Sequence, residues 1–190
     1  MSQQKINARN IVLVLMILAA IALRFVSYEY KTLSNFTPVG AVALFGGAYF
    51  TDKWKAYLVV LLTLFISDIG INYLYTSKLV FWYSGSAWVY LTFALMVFIG
   101  TLIKKVNVTN VAIASLVSVC VHWLIIDLPW IYGTFYAHNL SGYGQSLVAA
   151  IPFEKNMLLA DVFYCAVLFG GFEFAQSKYT ILRSKKQLAV

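Results

Sequence analysis

The residues of this chain able to do chemistry are few, and most are acids set among apolar neighbours. Asp68 follows Ser67 inside the run Ala56 to Tyr75, with Asn72 one helical turn further on. Asp127 opens, and Asp161 lies just beyond, a stretch that begins DLPWIYGTFYAHNLSGYGQSLVAAIPF and holds His138 near its centre. Arg24 closes the first apolar run. A charge inside a membrane costs a few kcal/mol or more, so each of these groups needs a partner or a task. Two arrangements answer that need. In one, Arg24 pairs with one of the acids and ties helix ends together. In the other, Arg24, Asp68, Asn72, Asp127 and Asp161 form a polar ring at the outer mouth of a helical cavity and hold a polar ligand.

The histidines and aromatics bear on the same choice. A neutral imidazole in an exposed loop is a metal ligand in waiting, so His138 is a candidate for the metal of a bound cofactor. It has no second ligand close in sequence, and no metal site of the protein's own is expected. His122 lies five positions before Asp127, on a different helical face, and reads as a packing residue. Trp82 and Tyr83, then Trp130, Tyr132 and Tyr136, crowd two polar connections. Tryptophan and tyrosine gather at any membrane interface, but an excess on one side also suits a flat ring system. Cys120 and Cys165 each sit in an apolar run without a CxxC neighbour and read as small core residues. There is no GxSxG, HExxH, Walker loop or paired-carboxylate motif, so binding rather than enzymatic chemistry is expected.

The elements that must position these groups are apolar helices. The 190 residues are 62% hydrophobic and 11% charged, with mean hydropathy +0.80; a soluble chain carries roughly a quarter charged residues. The reading is an all-α integral membrane protein with six spans, at about 11–26, 38–50, 56–75, 87–103, 108–126 and 157–174. A signal peptide ending near Ala20-Ile21-Ala22 is the competing reading of the first run. The long connection 127–156 is expected to be an outer loop, since a structureless segment of that length is usually functional. With both termini cytoplasmic, ten of the fourteen Lys and Arg residues fall inside (Lys5, Arg9, Lys53, Lys55, Lys104, Lys105, Lys178, Arg183, Lys185, Lys186). Arg24, Lys31, Lys78 and Lys155 fall outside. That bias is the positive-inside rule, so the net charge of +7 reflects topology and not a nucleic-acid partner. The triplets Asn35-Phe36-Thr37, Asn107-Val108-Thr109 and Asn139-Leu140-Ser141 match a glycosylation sequon by chance.

Two stretches carry a family likeness, NFTPVGAVALFGGAYF (Asn35 to Phe50) and IPFEKNMLLADVFYCAVLFGGFEF (Ile151 to Phe174), with Ser67-Asp68 between them. Together they resemble a family of small bacterial membrane proteins of uncharacterised function. In size and topology that family is similar to the substrate-binding S components of energy-coupling-factor (ECF) vitamin transporters, including a solitary branch that handles cobalamin. The resemblance covers most of the chain. It implies a ligand near the extracellular face, beneath the connections after helices one, three and five, and a location in the bacterial cytoplasmic membrane. It also implies an ECF-type energising module as partner. S components show an AxxxA-type docking face on the first helix, to which Ile11 to Val26 has no strict match. For a corrinoid, His138 would be the loop residue able to reach cobalt, since no cysteine lies in an outer connection.

The expected function is therefore uptake of a vitamin-type small molecule, cobalamin-like as first choice. The molecule would be bound by Asp68, Asn72, His138, Asp161, Arg24 and the loop aromatics, with no cofactor beyond the cargo itself. The alternative is a structural or assembly protein of the membrane whose outer loop binds a protein partner.

Overall fold

The computed structural model of the chain describes residues 8–183, and every regular element among them is helical. Lys5, Lys185 and Lys186 lie outside the described residues. Six helices carry the fold: α1 (Ala8–Ala22), α2 (Val39–Tyr49), α3 (Lys53–Thr76), α4 (Ser86–Thr101), α5 (Val108–Ile126) and α6 (Leu140–Lys178). Short helical turns at Leu23–Phe25, Val26–Glu29, Lys31–Leu33, Pro129–Tyr132 and Thr180–Leu182 decorate the connections. Four segments are long and apolar enough to cross a membrane, namely Ala8–Phe25, α3, α5 and α6. Their outer faces expose Leu15, Leu62, Ile66, Leu116, Val162 and Phe163. A continuous apolar surface of this kind faces lipid in a membrane protein.

The shortest helix is the centre. In α2 ten of eleven residues are buried, and the helix touches each of the other five. At 1.5 Å per residue it is about 17 Å long, roughly half a bilayer core. A helix that ends at such a depth leaves its first amides and last carbonyls without water, so the protein itself must satisfy them. At the N-terminal end Asp161, fully buried on α6, lies against Gly40 and the Ala41 amide. At the other end the Arg9 guanidinium donates to the Tyr49 carbonyl (2.9 Å) and the Lys53 ammonium to the Gly47 carbonyl (2.8 Å). An acid at the start and two bases at the finish also complement the helix dipole. The Tyr49 hydroxyl donates to Glu173 (2.5 Å), and Gln176 joins Arg9 to the same group.

Close approach to α4 requires glycine at two facing positions. A Cβ on Gly47 would meet the Val97 carbonyl, and one on Gly100 would meet the Leu44 backbone. This is the small-residue packing that joins membrane helices.

The last helix departs most from the sequence reading. The connection expected over 127–156 is a loop only from 127 to 139, and the final helix starts at Leu140 instead of 157. Its glycines and aromatics look like loop chemistry, but they sit at helical spacing. Gly142, Ser146, Ala150, Glu154, Met157 and Asp161 are buried in succession on one face. Asn139 caps the helix by accepting from the Gly142 amide (2.9 Å), and Asn107 caps α5 in the same way (2.8 Å). Two of the three sequon-like triplets are thus helix starts. Pro152 lies inside α6 and removes one ladder donor. It separates a terminal arm, 140–151, from the body of the helix. Trp123 donates to the Leu147 carbonyl (3.0 Å) and Tyr143 to the Leu124 carbonyl (2.7 Å), which fasten that arm to α5. Of the cysteines, Cys165 is in the core and Cys120 is exposed on the outside of α5.

Candidate functional site

The polar residues at the end of the bundle that carries connections 23–38, 77–85 and 127–139 form two groups, with α4 between them. In the first, the Arg24 guanidinium pairs with Asp68 and donates to Ser67 Oγ (2.8 Å). Tyr90 Oη donates to the other Asp68 oxygen (2.9 Å), and Trp82 stacks on the Tyr90 ring at 5.8 Å. Burial, with Asp68 nearby, pushes the Tyr83 hydroxyl up from its ordinary range. Every oxygen of Asp68 is thereby engaged within the protein. This group is a clamp tying α1, α3 and α4 together. Asn72 lies one turn further along α3, half-buried, and its own carbonyl accepts from Thr76 Oγ1 (2.7 Å).

The second group lies between α5, α6 and the 127–139 connection. A cavity of about 300 Å³ is lined there by His122, Asp127, Tyr132, Tyr136, Ser146 and Glu154, with Asn35 and Phe153 at its edge. His122 Nδ1 meets Glu154 Oε1 at 2.8 Å. Tyr132 Oη donates to Asp127 Oδ1 at 2.9 Å. Burial pushes the Asp127 carboxyl up from the ordinary carboxylate range; the Tyr132 hydrogen bond pulls the other way, and nearby Glu154 adds to the rise. Glu154 is 6% exposed, and its Oε2 has no hydrogen-bond partner; Ser146 Oγ, also buried, has none either. Unpaired buried polar atoms of this kind cost free energy unless something fills the space beside them. Ser146 is not hydrogen-bonded to His122, so serine, histidine and glutamate share a cavity without forming a nucleophile–base pair.

His122 and Asp127 face the same cavity although five residues separate them. Their predicted separation onto different faces fails because α5 ends at Ile126 and Asp127, as its C-cap, turns out of the helix. Of the residues singled out from the sequence, Tyr132 and Tyr136 line the cavity, while Arg24, Asp68, Trp82 and Tyr83 belong to the clamp. Trp130 is exposed in the turn Pro129–Tyr132. His138 is exposed, with Nε2 at 2.6 Å from the Gly133 carbonyl in its own loop. Asp161, expected at the rim of the loop, is deep in α6 against α2, where Ser115 donates to its Oδ2 (3.2 Å). A larger, almost wholly apolar hollow of about 490 Å³ runs past Asp161 between α5 and α6. Glu154 and Ser146 were missed because they fell inside the presumed loop. The signal was present as the four-residue step Gly142, Ser146, Ala150, Glu154.

A family model described as a family of unknown function (DUF6580) matches residues 4–185. The chain belongs to the DUF6580 family. No curated protein and no solved structure matches it. For this member of DUF6580 the site therefore rests on its own geometry. Among the described residues no group of three or more His, Cys, Asp or Glu side chains is arranged to hold a metal ion.

Proposed function

We propose that this chain is a multi-pass protein of the bacterial cytoplasmic membrane that binds a vitamin-type small molecule from outside and moves it inward. In this reading all six helices enter the bilayer and both termini are cytoplasmic. The end bearing Lys53, Lys55, Lys104, Lys105 and Lys178 then faces the cytoplasm, in keeping with the positive-inside rule. One observation carries the binding reading: the cavity beneath Tyr132 and Tyr136 holds two buried polar atoms, Glu154 Oε2 and Ser146 Oγ, with no partner among the described residues. A pre-formed concave site with a few convergent polar groups is the usual form of a small-molecule site. Its volume, about 300 Å³, suits a ligand the size of one ring system better than the corrinoid expected as first choice.

The partner-binding alternative draws on a different observation. Phe135 (79% exposed), Trp82 (63%) and Trp130 (51%) stand out from the same end of the bundle. Native mass spectrometry with an absorbance scan, on protein from cells grown in rich medium, separates the two. A co-purified molecule of defined mass, lost when Ser146→Trp fills the cavity, supports uptake. Protein that is empty in both forms and shows no thermal shift with a vitamin panel supports the partner-binding reading.

A further inference from the structure

Resting on the binding reading above, we infer that the cavity between α5 and α6 takes a small organic cation, a protonated amine, with Glu154 as counter-ion. The groups facing the cavity decide this by type. Two carboxylates, Asp127 and Glu154, and one histidine, His122, line it, and no lysine or arginine does among the described residues. The Glu154 carboxylate is taken on one oxygen by His122 and is open on the other. A carboxylate oxygen can only accept, so the missing partner must be a donor.

Charge narrows the choice further. Two carboxylates sharing one desolvated space disfavour each other, and a cation between them relieves both the repulsion and the burial. An anion would meet both carboxylates. A neutral molecule would satisfy Oε2 without offsetting the charge.

The walls point the same way. Tyr132 and Tyr136 pack edge-to-face at 5.8 Å beside the acids, and Phe153 is a third aromatic in the lining. Aromatic rings next to a carboxylate favour an organic cation, whose apolar part packs while its charge meets the π-systems and the counter-ion. A bare metal ion would need a fuller ligand set, and the described residues bring no such group together.

The test uses the full chain in non-ionic detergent and phosphate buffer, free of competing amines. Four probes that share one phenyl ring are compared by calorimetry and thermal shift: benzylamine, benzyltrimethylammonium, benzyl alcohol and benzoate. Benzylamine should bind and raise the melting temperature, with alcohol and benzoate weaker by about 30-fold or more, the scale of one charge-assisted hydrogen bond; benzyltrimethylammonium, which carries the charge without a donor, should bind more weakly than benzylamine. Glu154→Gln, nearly isosteric, should lose a similar factor for benzylamine while keeping its helical spectrum. Asp127→Asn serves as a second variant should Glu154→Gln fail to fold. Benzyl alcohol or benzoate binding as tightly as benzylamine, and abolished by Ser146→Trp, overturns the cation assignment and leaves the cavity as a ligand site. Binding of none of the four overturns the inference, and an empty native mass spectrum alongside it removes the binding reading as well.

Discussion

The carboxylate of Asp161 packs against the α-carbon of Gly40, so that one buried acid on α6 closes the first turn of the central helix. The contact leaves no room for a methyl group between them. It gives an 11-residue helix that ends inside the bundle an acceptor for one of its first amides, that of Ala41. Gly40→Ala should therefore lower stability by about 1–3 kcal/mol, the usual range for overpacking. A thermal melt in detergent measures it, and an unchanged melting temperature would contradict the contact.

The α2–α4 contact makes a sharper comparison possible inside one protein. At Gly100 an added Cβ meets the Leu44 backbone, whereas at Gly170 it meets nothing within 4 Å. Gly100→Ala should destabilise by about 1–3 kcal/mol or more. Gly170→Ala should be neutral or stabilising by up to about 1 kcal/mol, since alanine is the better helix former. Equal melting temperatures for the two variants would rule out tight packing at Gly100.

Asp68 is expected to serve stability more than ligand binding. Removing Arg24 leaves a nearly buried carboxylate with the Tyr90 hydroxyl as its remaining side-chain donor. Breaking a fully buried pair costs about 3–5 kcal/mol; the partly exposed Arg24 side chain reduces this to about 2 kcal/mol. A double-mutant cycle of Arg24→Ala with Asp68→Asn should recover a coupling of that order. Ligand affinity should move far less than in Glu154→Gln, and the reverse order would return Asp68 to the site.

Asp127 should give stability a pH dependence of known sign. Burial raises its folded value above the ordinary 3.8, so the folded state holds the proton more tightly than the unfolded one. This group's contribution is then greatest in acid and is lost as pH rises from the ordinary carboxylate range through the raised value. Tyr132→Phe removes the hydrogen bond that favours the charged form, which extends the loss upward. The stability gap between Tyr132→Phe and the parent should widen with rising pH, and Asp127→Asn should abolish the widening. A gap independent of pH would show that the Tyr132 hydrogen bond does not favour the charged form of Asp127.

What was legible in the sequence followed from local rules. Apolar runs of span length, their spacing, and the gathering of Lys53, Lys55, Lys104 and Lys105 in two short turns announce an all-helical membrane chain by composition alone. The pairing of Arg24 with an acid was one of two arrangements the charges allowed.

Only the tertiary structure decided the rest. That α2 is the centre does not follow from its sequence, because a helix apolar all round reads the same whether lipid or protein surrounds it. The Gly–Ser–aromatic stretch around Gly142 carries loop-like composition, and it is helical because Trp123 and Tyr143 pin it to α5 and its small residues face the bundle. Glu154, Asp127 and His122 lie up to 32 positions apart. They meet because α5 ends where Asp127 can turn inward and α6 folds back antiparallel beside it. Periodicity assigns each residue a face of its own helix; which faces share a cavity depends on how the helices pack.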